Sequence, residues 1–114
     1  MKTTTEIAQL IEADPVAALR MCSVDDVERK VAAIPARMLM GIARYLALGV
    51  MPGSFLQAVI SNDLRLAATR ADPENLHLLR DYVLLFVNDL PDECWGDKAA
   101  MQAWCDMGGM DLNE

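Results

Sequence analysis

Short apolar segments, each opened by a capping residue and closed by proline or glycine, follow one another along the chain. Thr3 and Glu6 form a T-x-x-E capping box, and the Asp-Pro pairs at 14–15 and 72–73 each place a carboxylate before a first-turn proline. Within the segments, apolar residues recur at the spacing of an amphipathic helix. These features predict six or seven helices, with approximate ranges of residues 3–13, 14–22, 23–34, 36–49, 54–71, 72–90 and 97–108.

No segment shows the sustained alternation of a half-buried strand. The run YVLLFV at residues 82–87 has the composition of a strand, but it lies inside a capped segment without a breaker, so we assign it to a helix. A chain of 114 residues can bury one apolar core. The sequence therefore predicts a single all-α domain, a compact bundle with residues 36–109 as its core and short helices added by residues 1–34.

The predicted fifth helix, residues 54–71, carries Asn62 and Asp63 inside an apolar run. On a helical wheel Asp63 points away from the polar stripe and into the apolar face, where a carboxylate without partners costs several kcal/mol. One interpretation is a structural tether, in which buried Asp63 accepts hydrogen bonds from the start of a neighbouring helix or pairs with Arg44 or Arg70. A second is a polar ligand pocket, and the third is an oligomer interface. The polar stripe consists of Ser54, Gln57, Ser61, Arg65 and Thr69, and the candidate pocket residues are Arg44, Ser54, Asn62, Asp63 and Arg70.

The predicted sixth helix, residues 72–90, is apolar nearly all the way round. Such a helix is either central in a bundle or covered by a second chain. We expect a central position, and the alternative is a homodimer that packs through Leu78 and Leu85. The broad face that we expect to be buried consists of Leu76, Leu79, Val83, Phe86, Val87 and Leu90, and the apolar residues outside it are Leu78, Tyr82, Leu84 and Leu85.

The net charge of −7 is concentrated in the second half of the chain, where residues 51–114 hold four Lys/Arg and eleven Asp/Glu. An acidic surface disfavours nucleic acid, whose phosphates require basic residues, and suits a protein with a basic surface. The alternative is a solvated, solubilising tail. Trp95 lies among these acidic residues, and core anchoring is the alternative to a contact role for it. The candidate partner-binding face consists of Asp89, Asp92, Glu93, Trp95 and Asp97.

Residue patterns typical of catalytic or metal sites are missing from the sequence. There is no Gly-rich phosphate loop, the three cysteines have unrelated spacings, and His77 is the single histidine. We therefore expect no catalytic residues, no metal and no cofactor. The odd number of cysteines is typical of a reducing cytoplasm, and no stretch is long and apolar enough to span a membrane.

Residues 44–109 carry the pattern R-Y-x-x-x-G-x-x-P-G-x-F-L-x-A-V-x-x-N-D-L, followed by R-A-D, then L-P-x-x-C-W-G and a final A-W. This pattern resembles that of a family of small proteins encoded by tailed phages and prophages. It implies an accessory phage protein that acts in the bacterial cytoplasm, and such genes often encode small acidic inhibitors of host defence.

Three hypotheses about function follow. The first is a non-enzymatic protein that binds a host or phage protein, for instance by inhibiting a defence system in the manner of an anti-CRISPR protein. The second is a protein that binds or sequesters a small molecule such as a nucleotide signal, with a phosphate held at the helix start at Ser54. The third is a structural or assembly role in the phage particle.

Overall fold

A computed structural model of the chain describes residues 3–22 and 31–110, and all of the regular secondary structure in these residues is helical. The predicted all-α class is thereby confirmed. The described residues contain eight α-helices and one 3-10 turn, in chain order α1 (Thr4–Ala13), α2 (Pro15–Cys22), α3 (Ala36–Leu48), α4 (Ser54–Ile60), α5 (Leu64–Arg70), α6 (Pro73–His77), α7 (Leu79–Asn88), the 3-10 turn Asp92–Cys94 and α8 (Lys98–Met107).

Most of the predicted helix starts are confirmed because each is made by a local side chain. The Thr3 hydroxyl accepts a hydrogen bond from the Glu6 N–H at 3.1 Å, and the Asp72 and Asp97 carboxylates cap α6 and α8 in the same way. The predicted helix over residues 23–34 lies outside the described residues, apart from a turn at 31–34.

The predicted continuous helix over residues 54–71 is wrong. It is divided into α4 and α5 by a turn at residues 61–63, and its N-cap is Gly53 rather than Ser54. The side chain of Gln57 donates to the Pro52 carbonyl at 2.7 Å.

The predicted sixth helix is also divided, at Leu78, and its buried face differs from the expected one. Tyr82 and Leu85 are fully buried, whereas Val83 is 43% exposed. The Tyr82 ring packs edge-on against Phe55, and its hydroxyl donates to Asn75 Oδ1 at 2.6 Å, which turns this side of the helix inward. A homodimer that packs through Leu85 is therefore ruled out, because Leu85 is not accessible.

The core extends through both halves of the chain. Ile11 of α1 and Leu19 of α2 are fully buried in the same apolar cluster as the residues of α3, α4 and α7. The first two helices therefore belong to the same core as residues 36–109.

Tyr45 of α3 connects three elements at the centre of this core. Its side chain is fully buried, and its hydroxyl donates to the Cys94 carbonyl in the 3-10 turn at 2.5 Å. Its own carbonyl accepts a hydrogen bond from Trp104 Nε1 of α8 at 3.0 Å. Trp104 is thus an anchor of α8, as its helical spacing from Met101 predicts.

The chain ends of α3 and α8 meet at two glycines, Gly49 and Gly109. Both have positive φ, at 68° and 83°. A Cβ atom on Gly109 would lie 2.6 Å from the Gly49 nitrogen and 2.8 Å from the Leu46 carbonyl oxygen, so only hydrogen fits there. The Met110 N–H then donates to the same Leu46 carbonyl at 2.7 Å, and α8 is fixed against the end of α3.

We predict that Gly109→Ala lowers the free energy of unfolding by about 3 kcal/mol or more, because left-handed strain is added to a collision with immovable backbone. Gly108→Ala is the matched control, since Gly108 has φ 87° but nothing within 4 Å of its Cβ position. It should cost only about 1–2 kcal/mol. Urea unfolding followed by circular dichroism measures both variants, and equal costs would contradict the role assigned to the close approach.

We predict that stability declines in alkaline solution, because burial raises the pKa of the Cys22 thiol from 9.0 to about 11 and that of Cys94 to about 12. The unfolded chain loses these protons first, so the stabilisation is complete below pH 9 and is lost as the pH rises toward 11–12. The urea midpoint should therefore be flat between pH 7 and 8 and fall above pH 9. Replacing both thiols by valine should reduce that fall without abolishing it, because burial also raises the pKa values of Tyr45 and Tyr82. A fall that is unchanged in the double variant would count against this explanation.

Candidate functional site

The candidate partner-binding face is only partly exposed. Asp92, Glu93 and Asp97 lie on the surface, and Asp97 also caps α8 through the Ala100 N–H at 2.7 Å. Asp89 is fully buried and Trp95 is largely buried. Because the chain turns inward after α7, Asp89 does not belong to a surface for a partner.

The indole nitrogen of Trp95 is not available to a partner protein. Its Nε1 atom is buried and has no hydrogen-bond partner within the described part of the chain. A buried donor in this state costs about 1–3 kcal/mol. Its ring packs against the apolar cluster, so Trp95 anchors the loop before α8.

The Asn62–Asp63 pair forms the turn between α4 and α5. Asn62 has φ 62°, a left-handed conformation that asparagine adopts more readily than most residues, and the Asp63 N–H donates to the Ala58 carbonyl at 2.8 Å. The Asp63 Oδ1 atom accepts the Leu66 N–H at 3.0 Å, which makes Asp63 the N-cap of α5. An amide and a carboxylate therefore interrupt the apolar run because they end one helix and begin the next.

The expected burial of Asp63 is wrong, since its side chain is only half-buried. The tether interpretation was correct in the type of bond, a backbone N–H to the carboxylate, but the donor belongs to the helix that Asp63 itself begins. The helical-wheel projection gave the wrong direction for Asp63 because it assumed one helix over residues 54–71. The turn at residues 61–63 changes the direction of every side chain that follows it.

A cavity of about 250 Å³ lies between α4, α5 and α8. It brings together three residues of the predicted ligand pocket, Ser54, Asp63 and Arg70. It does not include Arg44, which lies 4.0 Å from Glu12, or Asn62. The full lining is Ser54, Gln57, Ala58, Ser61, Asp63, Leu66, Arg70, Lys98 and Met101.

Four polar or flexible residues of this cavity were missed in the sequence: Gln57, Ser61, Lys98 and Met101. Gln57 and Ser61 belong to the polar stripe of the predicted fifth helix, so this stripe is the feature of the sequence that could have identified them as cavity residues. Nothing local in the sequence identifies Lys98 and Met101 as cavity residues, because α8 is brought next to α4 and α5 only by tertiary packing.

The charges of the cavity are unusual for this chain. Arg70 and Lys98 are exposed, and neither has an ion-pair partner among the residues that the structure describes. By contrast, Arg37 lies 2.8 Å from Glu74 and 3.4 Å from Asp72. The cavity therefore presents two cations, neither of them ion-paired within the described part of the chain, and one carboxylate.

A second, smaller feature is a groove of about 80 Å³ between α4, α5 and α7, which we call the apolar groove. Leu64 and Val83 stand on its walls and are 73% and 43% exposed. Val87, one turn beyond Val83, is also exposed. The apolar part of the lining is Ala58, Val59, Leu64, Ala67, Leu79 and Val83, and the polar part is Asn62 and Asp63.

Over residues 3–22 and 31–110, no group of three His, Cys, Asp or Glu side chains is placed to hold a metal ion. In the same residues, no helix has the length and apolar character needed to cross a bilayer.

Comparison with known proteins gave no match to a family model, to a curated protein or to a solved structure.

We predict that Asp63→Ala lowers the free energy of unfolding by about 1 kcal/mol, the usual contribution of an N-cap. Asp63→Asn should retain nearly full stability, because asparagine caps equally well. Thermal and urea unfolding measure both variants. A loss of about 3 kcal/mol or more for the alanine variant would indicate a buried, paired carboxylate and would contradict the cap assignment.

Proposed function

We propose that the chain is a non-enzymatic accessory protein of a phage or prophage that acts in the bacterial cytoplasm by binding another protein through the apolar groove. The resemblance of residues 44–109 to phage-encoded proteins supports the context, and the exposed apolar side chains around the groove support the mode of action.

The observation that carries this proposal is the exposure of large apolar side chains beside the groove. The chain buries Tyr82, Leu85 and Phe86 on one side of α7 and leaves Val83 and Val87 in solvent on the other. Leu64 of α5 is exposed across the groove from Val83. Contiguous apolar surface on a soluble protein is typical of a site that a partner covers. The groove has room for the tip of one apolar side chain, which is the usual anchor of such an interface.

The negative net charge of the chain favours a partner protein with a basic surface. The acidic turn at Asp92–Glu93 follows α7 after only three intervening residues, and both side chains are exposed. A protein segment with an apolar anchor and neighbouring basic residues would complement this surface. Opposite charges outside the apolar contact mainly raise the association rate and the specificity. Nucleic-acid-binding proteins present basic surfaces of this kind, and many bacterial defence proteins bind nucleic acid, so inhibition of a defence protein is the role that we favour.

We predict that Val83→Asp weakens binding to the partner at least about tenfold without unfolding the chain, because the carboxylate would lie in a site that must be desolvated. The partner is first identified by recovering host proteins on the tagged chain, and its affinity is then measured with purified components. Val50→Asp is the matched control, since Val50 is 48% exposed, against 43% for Val83, and lies outside the groove.

Reversal of Asp92 and Glu93 to lysine should slow association with the same partner and reduce its dependence on salt. Equal losses for Val83→Asp and Val50→Asp, or the absence of any host protein whose recovery depends on Val83, would overturn the proposal.

A further inference from the structure

We infer that the cavity between α4, α5 and α8 binds a phosphorylated sugar, either free or as part of a nucleoside monophosphate. This binding activity goes beyond the proposed protein interaction and rests on a separate set of side chains. The cavity and the apolar groove share only Ala58 and Asp63.

The first argument is the sign of the local charge. Residues 51–114 contain four basic residues against eleven acidic ones, yet two of the four, Arg70 and Lys98, line this one cavity. They come from different helices, α5 and α8, so helix periodicity alone does not bring them together. Neither has a carboxylate within ion-pairing distance among the described residues. Two cations without counter-ions on one cavity match the double charge of a phosphate monoester.

The second argument is the distribution of the remaining polar groups. Asp63 uses Oδ1 to cap α5, and within residues 3–22 and 31–110 no hydrogen bond is made to its Oδ2 atom. Ser54 and Ser61 place hydroxyl groups on the same cavity, and among the same residues Gln57 uses only its Nε2 atom, so its carbonyl oxygen is available. These atoms accept hydrogen bonds from hydroxyl groups, which a sugar supplies next to its phosphate.

The third argument is the volume of the cavity and the apolar side chains in its wall. Ala58, Leu66 and Met101 provide a hydrophobic surface for the carbon skeleton. A volume of about 250 Å³ is slightly below the range of pockets for drug-sized molecules, which begins near 300 Å³. The cavity therefore fits a monophosphate rather than a dinucleotide.

The experiment measures binding of ribose 5-phosphate, AMP, ribose, adenosine and succinate to the full chain by calorimetry, with amide chemical shifts of isotope-labelled protein as the second readout. We expect the two phosphates to bind, and to shift the amides of residues 54–61 and 98–101, whereas ribose and adenosine do not bind. The relative affinities of ribose 5-phosphate and AMP distinguish the free sugar phosphate from the nucleotide. Succinate binding as tightly as the phosphates would overturn the phosphate assignment.

Three substitutions locate the site. Arg70→Gln and Lys98→Gln should each weaken phosphate binding by about tenfold, while Arg65→Gln should leave it within about twofold. Arg65 is the matched control, since it lies on the same helix as Arg70, is exposed and does not line the cavity. All three side chains are exposed, so the variants should fold as the parent does. Equal losses at Arg65 and Arg70 would mean diffuse attraction, and failure of both phosphates to bind would reject the inference without affecting the protein interaction at Val83.

Discussion

The close approach of Gly49 and Gly109 sets the position of α8, and the cavity between α4, α5 and α8 depends on that position. With no side chain at either residue, the backbone after α3 and the backbone after α8 come into direct contact, and Met110 bonds to Leu46. Five residues before Gly109, the Trp104 side chain donates to the Tyr45 carbonyl. Two points of attachment fix both the location and the rotation of α8, and this rotation brings Lys98 and Met101 to the cavity wall.

Tyr45 also fixes the loop that precedes α8. Its hydroxyl holds the Cys94 carbonyl, and two residues later the Gly96 N–H donates to the Ile60 carbonyl at the end of α4 at 2.8 Å. The burial of Tyr45 raises the pKa of its phenol, so the hydroxyl stays protonated and able to donate throughout the physiological range. The elements around the cavity are thus joined by hydrogen bonds to backbone carbonyls, donated by backbone N–H groups and by the buried side chains of Tyr45 and Trp104.

What the sequence predicted correctly was local, and what it missed was either a break or a tertiary contact. Capping side chains act within three residues, so Thr3, Asp14, Asp72 and Asp97 were identifiable from their neighbours alone. The break at Asn62 and Asp63 is equally local, because Asn62 adopts a left-handed conformation and Asp63 is an N-cap. It was missed because the apolar residues on both sides suggested one continuous helix. For α7, periodicity identified a helix but could not choose its buried side, because both sides are apolar. The choice came from the contact of Tyr82 with Phe55 and Asn75, which are distant in sequence or in another helix.

The turn at Asn62–Asp63 has a thermodynamic consequence for the two proposed sites. Ala58 and Asp63 form part of the wall of the cavity and part of the wall of the apolar groove. A sugar phosphate that contacts Asp63 and a protein that covers the groove therefore act on the same short piece of backbone. Coupling between two ligands is reciprocal, so any factor by which the small molecule changes the affinity for the protein is also the factor by which the protein changes the affinity for the small molecule. The concentration of the small molecule would therefore influence how much of the protein is bound to its partner, through the turn at residues 61–63 that both sites share.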